Sequence, residues 1–504
     1  MNVAPDLLLG LPPATAHILA STQQFWQELR FPKPTDPVVS WRQGALGSLD
    51  ADVLLIGGTL GILVGAVLAQ QGWRVILWER GIVRGREQEW NISRAELQVF
   101  LDLELLTDLA SIIASEYNPG RVQFAGGDPL WVRDVLNVGV DPVALITQVK
   151  AKFLAWGGQI AEQTPLSHIT VYADGIQVHS STGTVATARL LIDAMGHRSP
   201  IVAQARGGSP PEGVCLVVGG CAQGIPTNET GDILYTFTPI EQHCQPFWEA
   251  FPARDGRTTY LFTYLDPDPR HLSIYDLLSL YHRWLPDYQG VTWQELKWQR
   301  FLAGCFPAYR HSPLAGLGDR ILFVGDSSGQ QSPLSFGGFG AMCRHLKRLT
   351  TGIHQALQAD ALDGGSLKLL QPYQPNLSVT WLFQQAMRVP IDQPYDPDQI
   401  NQLLRVVFAT MADLGEDTLK PFLQDVIQLA PLLTTLAAVT ARHPGLVARL
   451  IPQLGLGSLL PWIRDCTALG IFSLLHHLPI PTQNYHWQQR HQQWRYGSGQ
   501  DLRH

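Results

Sequence analysis

Two rhythms of apolar and polar positions run along this chain. The first begins at residues 52–56, a short apolar run that ends in a glycine cluster. An uncharged segment follows to Gln71, then a turn at Gly72 and a second apolar run closing on Trp78 and Glu79. Two short runs joined by a longer apolar one predict a β-α-β unit buried on both faces. Apolar residues at spacings of three and four predict helices over 94–116 and 141–156. The second is opened by Asp141-Pro142 as cap and first position and stopped by Gly157-Gly158. The second rhythm is that of short strands, near 169–171, 176–178 and 190–192, the last running into Asp193-Ala194-Met195-Gly196.

From 207 to 300, strand-like runs at 234–237 and 259–265 and a helix at 273–284 predict an inserted β-rich domain. A third strand, 321–324, leads to Gly325-Asp326 and a helix opening near Gly337, and the chain is mostly helical from 358 to about 478. The fold class expected is therefore α/β. A dinucleotide-binding domain is assembled from 51–206 and 301–360, a β-rich substrate domain is inserted at 207–300, and a helical region covers 361–480. Residues 1–50, rich in Pro, Leu and Gln, predict a draped extension, and 481–504 a polar tail.

Composition narrows the function. At 504 residues the chain exceeds one hydrophobic core. A net charge of −7 removes the basic excess that nucleic-acid binding needs. Only 16% of residues are charged, 45% are hydrophobic and 15 are Trp, which fits a membrane surface or an apolar ligand. The six cysteines form no Cys-x-x-Cys pair and read as reduced structural thiols; His486 and His491 lack the context of a metal site. The first fifty residues lack a signal-peptide pattern, which points to the cytosol.

The candidate chemistry starts at Gly57-Gly58-Thr59-Leu60-Gly61, where a strand feeds a helix whose first amides can hold a pyrophosphate. The motif is one residue shorter than G-x-G-x-x-G. Either Ile56 holds the first glycine position or the loop is contracted. Glu79, about twenty residues on, is the acid expected to accept the ribose hydroxyls. The alternative for Gly57, Gly61 and Gly65 is a membrane-helix packing face, since 53–73 carry no charge. Asp326 is placed to accept from a sugar or ribityl hydroxyl, or to cap a helix. The amides from Gly337 and Gly338 to Gly340 face a phosphate or an electron-rich ring edge. Arg86 and Arg94 are candidates for the pyrophosphate or plain surface arginines, and Trp90 is pocket wall or core.

Glu79-Arg80, the turn with Ala194 and Gly196, and Phe323-Val324-Gly325-Asp326, in that order, resemble the glutathione-reductase-like FAD proteins of the hydroxylase and geranylgeranyl-reductase type. Within them, residues 84–94 (Arg84-Gly85-Arg86 through Arg94) and 331–340 (Gln331-Ser332-Pro333 through Gly340) resemble the lycopene cyclases of the CruA/CruP type, with the chain length nearer the CruP-like branch. The resemblance implies an FAD cofactor, reduced in its working state, and a lycopene-like carotenoid substrate. It implies cyclisation without net redox change: a proton adds to a terminal double bond and another leaves the ring. Better-known lycopene cyclases carry paired glutamates on a substrate-domain strand. The similar position here ends in Asp266-Pro267-Asp268, so Asp266 or Asp268 is the expected acid, with a solvated turn as the alternative.

In the tail, 426–441 is interrupted by Pro431 and is too short to cross a bilayer, and arginines punctuate the residues beyond it. Residues 446–475 suit a helix dipping into lipid at a photosynthetic membrane, a lid over a carotenoid tunnel, or plain helical core. Two further functions stay open: an FAD-dependent reductase or monooxygenase acting on a carotenoid, and a non-catalytic flavin- or pigment-binding paralogue.

Overall fold

The computed structural model describes residues 5–33, 36–226, 229–479 and 484–502. Its first layer is a parallel sheet. Strands Gln159–Ala161, Val75–Trp78, Ala51–Ile56, Val185–Asp193 and Ile321–Phe323 lie side by side in that order. Strand parity divides their side chains between two cores. Val53, Leu55, Leu190 and Ile192 meet helices Gly61–Gln70, Pro142–Ala155 and Gly338–Gln358. Leu54, Ile56, Leu191 and Phe323 meet the antiparallel strands Leu166–Val171 and Ile176–Ser180. Helix Gly61–Gln70, uncharged and apolar on every side, is buried along nine of its ten residues and is therefore core.

The second layer is a seven-stranded sheet in the order Lys297–Ala308, Gly213–Gln223, Gly256–Leu265, Phe247–Ala253, Gly231–Thr236, Gly120–Phe124, Leu130–Val132. Its two outermost strands come from before residue 150, so the β-rich domain is not a simple 207–300 insertion. The 120–132 hairpin docks parallel to Gly231–Thr236, and the sheet runs on to Ala308. One face carries helix Ile274–Gln289, capped by Ser273. The other face looks toward the helical tail.

Two expected elements differ. The 1–50 extension contains helix Thr15–Arg30, which buries Leu19 and Trp26 against the second sheet; the Trp26 indole donates to the Leu272 carbonyl at 3.1 Å. Val39–Trp41 adds a strand to the first sheet. The helix expected over 94–116 is broken: only the 3-10 turns Arg94–Leu97 and Ala110–Ile112 and the short helix Gln98–Asp102 are helical, and Ile113–Glu116 is an edge strand beside Val138–Val140. The apolar spacing there serves a packed loop as well as a helix, because Phe100, Leu105, Leu106 and Ile112 all reach the same core.

Candidate functional site

The nucleotide turn is built by close approach. Ile56 ends its strand in extended pairing, and Gly57, with φ of 104°, turns the chain toward the helix that opens at Gly61. A Cβ on Gly57 would lie 2.4 Å from the Ala194 carbonyl oxygen, and one on Gly61 would lie 2.5 Å from Leu55 Cδ2 and 2.8 Å from Ala194 Cβ. Glycine is required at both. The Gly58 amide donates to Glu79 Oε2 at 2.7 Å, and the Gly81 amide to Oε1 at 2.9 Å. Each carboxylate oxygen keeps a lone pair for a ribose hydroxyl. Among the described residues, the Thr59 and Leu60 amides have no protein acceptor and point a helix N-terminus at the cavity.

Asp193 joins the other two segments. It accepts from Met195 N at 2.9 Å, from Ser327 Oγ at 3.0 Å and from Ser199 Oγ, while the Gly196 amide donates to Ser327 Oγ at 2.7 Å. Burial pushes the Asp193 carboxyl up to about 6 against those hydrogen bonds. The clamp holds Asp326 at the cavity wall, 3.6 Å from His197. Helix Gly338–Gln358 starts against it, since a Cβ on Gly338 would lie 2.4 Å from Asp326 Oδ1. Gln330, 1% exposed on the same wall, has both amide atoms unpartnered within the described protein. Unmet donors and acceptors at both ends of this groove are what a dinucleotide would satisfy.

Gly57 to Leu60, Glu79, Arg80, Arg86, Ala194, Gly196, Gly325, Asp326, Gly337 and Gly338 all line one cavity of about 1160 Å³. Arg86 is surrounded by protein but open to that cavity; its guanidinium donates to the carbonyls of Gln88 and Glu89, both at 3.0 Å. Trp90 stacks on Phe339 with ring centroids 4.6 Å apart and is cavity wall. Arg94 is elsewhere, in a half-exposed ion pair with Glu116 at 2.8 Å, so the pyrophosphate role assigned to it is corrected to a surface pair.

The aspartates are also elsewhere. Asp268 is clamped by Arg270 at 2.7 Å, which holds its carboxyl far below the usual range. Asp266 accepts from His271 at 3.1 Å, and this bond with the imidazole's charge outweighs burial and lowers its pKa. Neither lines the cavity. Asp-Pro-Asp is a turn that fixes arginine and histidine, and with lowered pKa values neither carboxyl holds a proton to donate near neutrality.

Among the carboxyls that do line the cavity is Glu249, in strand Phe247–Ala253. Strand parity turns Phe247, Glu249 and Phe251 toward the tail and Trp248 toward the opposite core. Glu249 pairs across the sheet with Tyr260, which in turn opposes Gly219. Its carboxyl meets the cavity interior rather than bulk solvent and has no hydrogen-bond partner among the described residues. Burial, then the charge of Asp425, pushes its pKa up to about 8. Asp425 accepts from Ser335 and is itself pushed up to about 6 by burial. The sequence held one signal for Glu249: a single acid at alternating spacing in the otherwise apolar run 246–253.

Beyond Glu249 the cavity continues past Tyr260, Phe262, Tyr264 and Phe306 into the tail, where Phe408, Leu436 and Leu450 wall it. Its volume exceeds the roughly 300–1,000 Å³ of ordinary ligand sites. The cavity therefore runs continuously from a nucleotide turn to the surface helices.

No described protein family matches the sequence, and no curated protein matches it significantly. Solved structures do. A geranylgeranyl bacteriochlorophyll reductase-like protein from Thermoplasma acidophilum is 12% identical over 82% of this chain and 100% of its own, with a TM-score of 0.53. The halogenase PltM, solved with phloroglucinol and FAD, is 12% identical over 90% of this chain and 96% of its own, also at 0.53. The chain has the Rossmann-type fold of these flavoenzymes. At such identities the likeness is one of fold.

Proposed function

We propose that this chain is an FAD-dependent enzyme acting on a long apolar polyene. In this reading it cyclises an acyclic carotenoid end group, the activity implied by the resemblance to CruA/CruP-type lycopene cyclases. The observation that carries the reading is one cavity with the nucleotide turn at one end, apolar helices at the other and a raised carboxyl, Glu249, between them.

Gly58, the free amides of Thr59 and Leu60, Glu79, Asp326 and the start of helix Gly338–Gln358 are the residues that would hold FAD. Reduced FAD, when bound, supplies an electron-rich surface beside a developing cation. Glu249, protonated at neutral pH, donates its proton to the terminal double bond. The new C–H bond leaves a carbocation, and ring closure moves that cation into the ring. The Glu249 carboxylate then takes a ring proton and the acid is restored, so atoms and charge balance without net redox change. Tyr260, Phe262 and Tyr264 present ring faces that stabilise a cation in a water-poor site. Asp266 and Asp268 have no part in it.

The test is incubation of the purified protein with lycopene in vesicles and chemically reduced FAD, with extracted pigment separated by chromatography. Monocyclic or bicyclic product supports the reading. Steady consumption of NAD(P)H with a reduced or oxygenated product would replace it with the redox function. Bound flavin with no conversion of any carotenoid would leave the non-catalytic paralogue.

A further inference from the structure

We infer that the tail docks on an anionic lipid bilayer through one face of helix Leu456–Leu475, and that apolar substrate enters the cavity sideways from the membrane at Ile451. Among the described residues this is the one helix long and apolar enough to cross a membrane, over Gly457–Leu475. Its inner face is engaged instead: the Trp462 indole donates to the Val379 carbonyl at 3.2 Å, Asp465 accepts from Tyr373 at 2.6 Å, and Leu469 is fully buried. Only the outer face is free. It carries Leu460, Ile463, Ile471 and Leu474, spaced at three, eight and three residues along one side, followed by Leu478; these are 49% to 74% exposed. From Leu460 to Leu474 the stripe is about 21 Å long at 1.5 Å per residue.

Three observations select lipid as the occupant. First, charge is one-sided: residues 426–479 hold three arginines, of which Arg442 is paired with Asp413 at 2.6 Å, but a single acid, Asp465, whose side chain is 2% exposed. Arg464 is two-thirds exposed while paired with Asp465 at 3.3 Å, and Arg449 has no ion-pair partner among the described residues and is the uncompensated cation of this segment. Apolar stripe and arginines together match an anionic headgroup layer. Second, the cavity extends up to this helix: Leu459 and Trp462 line it, as do Leu454 and the 48% exposed Ile451 of the preceding helix. Third, an exposed apolar stripe of this length is costly in water and is stabilised by acyl chains. The docking stands on the surface alone; entry of a polyene rests on the function proposed above.

The experiment uses the full chain and two kinds of vesicle, phosphatidylcholine alone and phosphatidylcholine with phosphatidylglycerol, in a flotation assay with sizing by sedimentation. The variant is I463E/I471E/L474E, with circular dichroism and flavin content as checks of folding; R449E is a milder second variant. The wild type should float with the anionic vesicles and the triple variant should lose roughly tenfold or more of that binding. R449E should lose the preference for the anionic lipid. A wild-type chain that stays with the soluble fraction overturns the inference, and so does a dimer that the triple variant dissociates, since the face is then an interface between copies. For entry, turnover of vesicle-embedded and detergent-dispersed lycopene is compared. Loss by the triple variant only in vesicles supports lateral entry, and equal loss in both overturns it. Absence of turnover in the wild type would sink the proposed function while leaving the flotation result to be read on its own.

Discussion

Replacing Glu249 by glutamine keeps the shape of the side chain and removes its proton. With a pKa of about 8, roughly nine-tenths of the carboxyls are protonated at pH 7; at the ordinary glutamate value of 4.5 the fraction would be about three in a thousand, so the site gains a factor of about 300 in available acid. Loss of a positioned general acid slows the reaction by about 10²–10⁴-fold. E249Q should therefore bind FAD like the wild type and form ring product at least about 100-fold more slowly. The wild-type rate should fall as pH rises through about 8. The sign for stability comes from the same shift. The folded pKa is raised above the unfolded value, so the protonated acid's contribution is fully present below about 4.5 and is lost as pH rises through about 8. The melting temperature of E249Q should lack that decline. The assays are chromatography of extracted pigment across pH 6–9 and thermal melts of both proteins over a wider range. Cyclisation by E249Q at the wild-type rate, or a wild-type profile flat through pH 8, would refute the assignment.

Glu79→Ala removes the acceptor for the Gly58 and Gly81 amides. A hydrogen bond to a charged group contributes about 1.5–3 kcal/mol, so the Kd for FAD, read by flavin fluorescence, should rise roughly 10- to 100-fold. Arg94→Ala should leave that Kd unchanged and alter stability by at most about 1 kcal/mol in chemical denaturation, as befits an exposed ion pair. D266N and D268N should retain turnover within about threefold, since neither carboxyl reaches the cavity and removing a general acid would cost far more. All six cysteines are free and five are buried, with burial pushing Cys221 and Cys244 up to about 12. A thiol-specific reagent should label the native protein slowly and the denatured protein at six sites.

Where sequence reading succeeded, local chemistry fixed the outcome. The β-α-β unit, Glu79 at the end of its second strand, the Asp141-Pro142 helix start and the opening of helix Gly338–Gln358 beside Gly337 follow from strand length, glycine placement and capping, which act over a few residues. Helix Thr15–Arg30 escaped notice because prolines crowd the stretch around it, and its support comes from Leu272, some 240 positions away. The residues at 94–116 have a helical spacing, but long-range packing took those apolar side chains into a loop.

The sequence by itself determined which segments make the nucleotide turn, because a tight turn admits so few residue types that its signature is written in glycines and one acid. It could not single out Glu249, the carboxyl proposed as the acid. Asp266 and Asp268 had the expected position in the chain, and Glu249 had only its parity among aromatics. A pKa is set by the groups that surround a carboxyl in space, and here those are the protein that buries Glu249, drawn from distant parts of the chain, and then the charge of Asp425. Likewise, an apolar tail is legible as composition. Which of its faces stays uncovered was decided when Trp462, Asp465 and Leu469 packed inward and left Leu460, Ile463, Ile471 and Leu474 outside.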